Sequence, residues 1–381
     1  MSEADYLASF SEDPLYLNHA SYGPPSRAVA ETSARLIGAA AVGGPHVSAS
    51  LHSEDQRATA AIARLSGIRA ERVALTANTS LGLMQVAFGV GVGGGLGSGT
   101  AGGAVLVSPD EFPANTYPWL RARDAGLLGV RLLPAADAPL WVTPELIEAS
   151  LTPDVVAVSV SAVDFRTGFV ADLVGIRAAI GDRLLVVDAI QGFGVADLDW
   201  SLADALVVGG QKWLRAGWGA GFVAFSERGL DRVRPVLGGW TGVEGPTRYD
   251  GAEHEPLPGA AAHSITNLSP FATGSLATAL ELVETIGVPR IAERIEATAS
   301  ALADALDRAG VEVLSPRESA ERAGIVVAGI PHDGAAAAHA RLSAAGVTST
   351  LHGTDRIRFS VHATTTTEAV ETAAAALGES S

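Results

Sequence analysis

The chain has no cysteine, which excludes disulfides, thiolate metal sites and thiol nucleophiles. No apolar run approaches the roughly 20 residues that a membrane helix needs. The amino terminus, Met1-Ser-Glu-Ala-Asp5, lacks the basic and apolar regions of a signal peptide. Positive charge is scarce. Lys and Arg total 26 against 42 Asp and Glu, and the net charge of −16 argues against nucleic acid or acidic membrane as partner. Arginine is used over lysine, which with abundant Ala and Gly reads as GC-rich coding and carries no functional weight. A cytoplasmic protein is expected.

What is present is enough for a large core. The 381 residues are 48% hydrophobic, and about two domains follow from a prior of ~150 residues each. Short β-branched runs recur between amphipathic stretches. Strands are expected at Val73–Thr76, Ala104–Val107, Val155–Val160, Leu184–Asp188, Ala205–Val208 and Gly221–Phe225. Strands alternating with helices imply a mostly parallel sheet. From about Pro289 the pattern changes to a smaller α+β region. There, helix Ile291–Arg308 leads to strands Val311–Leu314, Ile325–Ala328 and Arg356–Val361, with helices Gly334–Ala345 and from Thr367. The stretch Val243–Ala262 reads as a long loop. The tract Gly97, Gly99, Gly102 matches G-x-G-x-x-G, but it follows a helix and precedes a strand, so it reads as a connector.

Two residues carry the chemistry. Asp188 ends one buried run and Lys212 follows another, 24 residues later. A lysine and a carboxylate at the carboxyl ends of neighbouring parallel strands suit pyridoxal phosphate, through a Schiff base to lysine and a carboxylate at the pyridine nitrogen. Singly, each has a plain alternative: the lysine snorkels to water, and the aspartate caps a strand end. Other candidates surround the pair. Asn78, Thr79 and Ser80 open a helix as a phosphate cradle or as an N-cap. Phe112 stacks on a flat ligand or fills core. The stretch Ser161–Gly168 contacts a ligand or simply turns. Gln191 is either a donor to a cofactor's phenolic oxygen or a solvated loop residue. Arg358 shares one strand face with Ser360 and His362, and would take a carboxylate bidentately, with Arg356 in competition.

Taken together, these motifs resemble the class V aminotransferase superfamily, which includes cysteine desulfurases, kynureninase, isopenicillin N epimerase and hercynylcysteine sulfoxide lyase. The resemblance runs from Tyr16-Leu-Asn-His-Ala-Ser-Tyr-Gly-Pro24 through Glu111-Phe-Pro-Ala-Asn115, Val163-Asp-Phe-Arg-Thr-Gly168, Asp188-Ala-Ile-Gln191 and Gly210-Gln-Lys-Trp-Leu214 to Arg358-Phe-Ser-Val-His362. It implies an α/β fold, fold type I. A large domain with a seven-stranded, mostly parallel sheet would span 26–288, with a small α+β domain over 289–381 and an N-terminal segment, 1–25, reaching the active site. It implies pyridoxal 5'-phosphate held by Lys212, Asp188 and Gln191, with Thr79 and Ser80 at the phosphate and Phe112 on the ring. Ser275 would reach a neighbour's phosphate across a homodimer with sites between subunits. Arg358 would bind the substrate carboxylate, with His19 and Tyr22 lining its pocket and Trp240 and Arg248 as weaker candidates.

This sequence departs from the pattern at several points. Phe112 replaces a stacked histidine, Gly209 a phosphate-binding serine, and Gln211 the histidine before the lysine. Ala363-Thr-Thr-Thr366 stands where tyrosine and asparagine are frequent. Without cysteine, desulfuration by a thiolate is excluded. The expected activity is α,β-elimination of the C–S lyase kind, or transamination, on an amino acid. Alternatives are an epimerase or a kynureninase-like hydrolase. A nicotinamide-dependent dehydrogenase or a non-catalytic cofactor-binding protein is less favoured.

Overall fold

A computed structural model describes residues 2–93, 103–134, 141–331 and 334–378. The glycine tract at Gly97, Gly99 and Gly102 lies outside the described residues. Strands β1 (Val73–Thr76), β2 (Ala104–Val107), β3 (Gly129–Leu132), β4 (Val155–Ser161), β5 (Leu184–Asp188), β6 (Ala205–Gly209) and β7 (Gly221–Phe225) form one sheet in the order β1-β7-β6-β5-β4-β2-β3. Only β7 runs against its neighbours. Every residue of β5, β6 and β7 is buried, which explains their unbroken apolar sequences. Strand β3 escapes the sequence reading because Gly-Val-Arg-Leu is a half-exposed edge with no apolar run.

Helices α1 (Glu3–Leu7), α2 (Arg27–Val42), α3 (Val47–Ser66), α4 (Thr79–Gly93), α5 (Pro113–Asp124), α6 (Pro144–Ser150), α7 (Leu173–Ile180), α8 (Glu227–Arg232) and α9 (Pro270–Ile286) surround this sheet. Helix α4 docks close because Gly82 faces the sheet. A Cβ there would lie 2.7 Å from Val207 and 2.9 Å from Val223. The stretch from Val243 to Ala262 is largely irregular, with a Val243–Pro256 bridge and a short 3-10 turn from Gly259.

Helix α10 (Val288–Arg308) leads into the second sheet. Its buried face, Ile291, Ile295, Ala299, Leu302 and Leu306, follows helical spacing. Strands β8 (Glu312–Val313), β9 (Ile325–Gly329), β10 (Thr350–His352) and β11 (Arg356–Ser360) pair antiparallel in the order β10-β11-β9-β8, with α11 (Ala335–Ala344) and α12 (Thr367–Gly378). The N-terminal arm joins this sheet. Leu17 N–H donates to Thr348 O at 3.0 Å, and Ser360 N–H donates to Leu17 O at 2.8 Å.

Candidate active site

The carboxyl ends of β1, β2, β4, β5 and β6 share one edge of the large sheet, where α/β folds bind ligands. Lys212 lies three residues past β6, in a turn closed by Ala216 N–H to Gly210 O at 2.9 Å and Arg215 N–H to Lys212 O at 2.9 Å. It is the only lysine in the chain, beside 25 arginines. Its singularity is visible in the sequence itself. An arginine cannot give up its proton, whereas a lysine can. Burial lowers the Lys212 amine to about 8; Arg358 pushes the same way and Asp188 opposes both.

Asp188 ends β5, 2% exposed. It accepts Ile190 N–H at 3.1 Å and has no ion pair among the described residues. Burial raises its carboxyl to about 6. An unpaired, buried carboxylate calls for a cationic donor. Phe112 precedes α5 with its ring 41% exposed, edge-on to Phe165 and 5.1 Å from Lys212 Nζ. At the start of α4, Asn78 caps Leu81 N–H at 2.9 Å, so the cap reading holds. The buried hydroxyl of Thr79 has no partner among the described residues, and Ser80 is exposed. A Cβ on Gly209 would lie 2.7 Å from Thr79 Oγ1 and 2.6 Å from Gln211 Oε1. Glycine there leaves room beside the hydroxyl where a serine would crowd it.

Arg358 is 4% exposed and enters from the second sheet. Nη1 donates to Phe165 O at 2.9 Å, Nη2 donates to Ser21 Oγ at 2.8 Å, and Nε has no partner among the described residues. The turn after β4 therefore seats this guanidinium. Arg356 instead pairs with Asp355 at 3.3 Å. Glu111 went unnoticed as an individual residue. Its carboxylate accepts both the N–H and the hydroxyl of Ser161, the partner of Asp188 across β4 and β5. Burial raises Glu111 to about 7, with Asp188 adding to the shift.

Two residues have partners that spacing along the chain does not show. Gln191 has both ends of its amide engaged, and one of its two Nε2 hydrogens is uncommitted among the described residues. Oε1 accepts Trp213 Nε1–H at 2.6 Å, and Nε2 donates to Ala20 O at 3.1 Å. Spacing from Asp188 could not show the Trp213 and Ala20 contacts. His19 lines a small cavity with Phe10, Glu12, Tyr16 and Thr364. It is 1% exposed, bonded to Ser360 O at 3.1 Å, and packed among Tyr16, Trp213 and His362. Burial lowers it to about 3. Tyr22 stacks on Trp218 with centroids 4.2 Å apart. Ser275 is buried within its own chain on α9. Trp240 donates to Thr266 at 3.1 Å, and Arg248 packs beside Gly245; no hydrogen bond joins either to Lys212 or Arg358.

The crevice thus offers an amine, an unpaired carboxylate, an exposed ring and an orphan hydroxyl at a helix amino terminus. These suit a planar, phosphorylated pyridine. The family profile for class-V aminotransferases matches residues 24–372. The chain belongs to the class-V aminotransferase family. It is a pyridoxal phosphate-dependent enzyme of that family.

Among the relatives of this class-V aminotransferase, a kynureninase of Deinococcus radiodurans is 29% identical over 67% of the chain and 62% of its own length. An isopenicillin N epimerase of Amycolatopsis lactamdurans is 32% identical over 46% of the chain and 44% of its own length. The match thus spans less than two thirds of either relative. The apo cysteine desulfurase of Thermococcus onnurineus NA1 superposes with a TM-score of 0.83 at 21% identity, over 96% of this chain and 94% of that one. A C-DES mutant with glycine covalently linked to its pyridoxal phosphate cofactor gives 0.87 at 19% identity, over the full length of both. These likenesses establish the fold.

Proposed function

We propose that the enzyme acts on an amino acid by α,β-elimination or transamination, with Lys212 as its single proton carrier. The observation that supports this most is the pairing of one amine of pKa about 8 with Phe112, a ring that carries no proton. Pyridoxal phosphate, when bound, supplies the carbonyl that takes the substrate amine and the electron sink that acidifies its α-carbon. The chain supplies the rest. Asp188 holds a proton at the pyridine nitrogen, and Thr79 with the α4 amino terminus holds the phosphate. Arg358 binds the substrate carboxylate through its free Nε edge. Lys212 takes the α-proton, then delivers it to the leaving β-substituent or to a neighbouring carbon. Epimerisation by two bases needs a second proton carrier, which Phe112 does not provide.

Homodimerisation and a cytoplasmic location belong to the same proposal. Trp218 is 68% exposed and Tyr249 91%, aromatic surface of the kind that interfaces cover. Ser275 on α9 remains the candidate for contact with a partner's phosphate. Loaded enzyme is to be screened against an amino-acid panel. Pyruvate and ammonia without an acceptor mark elimination, and a keto acid that requires an acceptor marks transamination. No product from any amino acid contradicts the reading.

A further inference from the structure

Among the described residues, Arg215 is the one non-glycine with a left-handed backbone, at φ 59. A side-chain-bearing residue adopts that region at a cost, so its surroundings must hold it there. Those surroundings are unusually complete. The residue is 2% exposed. Its guanidinium lies 3.6 Å over the Phe10 ring, pairs with Glu12 at 2.6 Å, and donates through Nε to Pro24 O at 2.6 Å and through Nη1 to Thr364 Oγ1 at 3.1 Å. Thr364 closes the set by donating to Glu12 at 2.5 Å. One side chain therefore joins three distant stretches: the N-terminal arm, the turn that carries Lys212, and the segment after β11.

The arm also meets the turn directly. Gly23 N–H donates to Gln211 O at 2.9 Å. A Cβ on Gly23 would lie 2.0 Å from Lys212 O and 2.8 Å from Arg215 Cγ, so only glycine permits this approach. Two residues earlier, Ser21 accepts from Arg358. The arm thus touches the lysine turn and the carboxylate-binding arginine together.

We propose that Arg215 is a positioning residue, whose ion pair with Glu12 locks the Lys212 turn to the N-terminal arm, so that the lysine is presented to the cofactor only when the arm is seated. This rests on Lys212 being the cofactor lysine. The catalytic groups sit on the large sheet, but the lock reaches outside it.

Three variants test the lock. Arg215→Gly keeps the left-handed turn without strain and removes the guanidinium. Glu12→Gln removes one charge at constant shape, and decides the matter if Arg215→Gly does not fold. Arg215→Lys restores charge without the fork. Cofactor-free full-length protein is mixed with pyridoxal 5'-phosphate. The readouts are the rate at which the visible band appears and the pH midpoint of that rate. Arg215→Gly and Glu12→Gln are expected to slow capture at least tenfold and to displace the midpoint, with partial recovery in Arg215→Lys. Wild-type rates and midpoints in Arg215→Gly and Glu12→Gln, whatever their melting temperatures, overturn the inference while leaving Lys212 as the cofactor lysine. A wild type that forms no band overturns both.

Discussion

The indole N–H of Trp213 donates to Gln191 Oε1 at 2.6 Å, tying the loop after Asp188 to the turn that carries Lys212. Gln191 thereby acts as a bracket between two strand ends, and its amide hydrogen holds Ala20 of the arm as well. Removing it strands two buried groups, the Trp213 N–H and the Ala20 carbonyl. Each stranded group costs about 1–3 kcal/mol.

Gln191→Ala is therefore expected to lower stability by about 2 kcal/mol or more, read from the urea midpoint at constant slope. Its uncommitted amide hydrogen is the candidate donor to the cofactor's phenolic oxygen, so the visible maximum of bound pyridoxal phosphate should shift as well. An unchanged urea midpoint would contradict the bracket, and an unshifted maximum would remove Gln191 from the phenolic oxygen.

Arg358→Lys should raise KM for the active amino acid about 100-fold, since a point charge does not replace a planar fork on a carboxylate. Cofactor affinity should hold, because Arg358 reaches Phe165, Ser21 and substrate rather than the phosphate. Steady-state kinetics with a parallel cofactor titration checks both. An unchanged KM would send the carboxylate elsewhere.

The strands that carry the site were legible because burial on both faces demands unbroken apolar runs, as in Leu184–Asp188 and Ala205–Gly209. Lys212 and Asp188 were legible as candidates for the same reason, and Arg358 through the two-residue alternation of its strand. Strands β3 and β10 were not, since short exposed strands show no run to find. The partners of His19 were not legible, because an arm residue's environment depends on where the arm lands. Arg215 was invisible: no sequence pattern marks a left-handed arginine, and its partner Glu12 lies some 200 residues away.

Asp188 gives a pH signature. Its folded pKa, about 6, stands above the usual 3.8 through burial. The unfolded chain therefore loses this proton first as pH rises. Cofactor-free stability should fall between about pH 4 and pH 6 from this group and stay lower above, by at most roughly 3 kcal/mol. Asp188→Asn removes the penalty. The variant should melt higher than wild type at pH 7.5 without cofactor, and it should be catalytically inert. A lower melting temperature there would mean that Asp188 stabilises the fold itself.

The central claim is that Lys212 holds pyridoxal phosphate covalently. Because the chain has one lysine, borohydride reduction followed by peptide mass analysis reads this site with only the α-amino group in competition. The account predicts a yellow wild type, bleached by reduction, with the added mass on the peptide containing Lys212, and a Lys212→Ala protein with neither band nor label. A wild type that stays colourless with excess pyridoxal phosphate, or a label confined to the α-amino group, would contradict it.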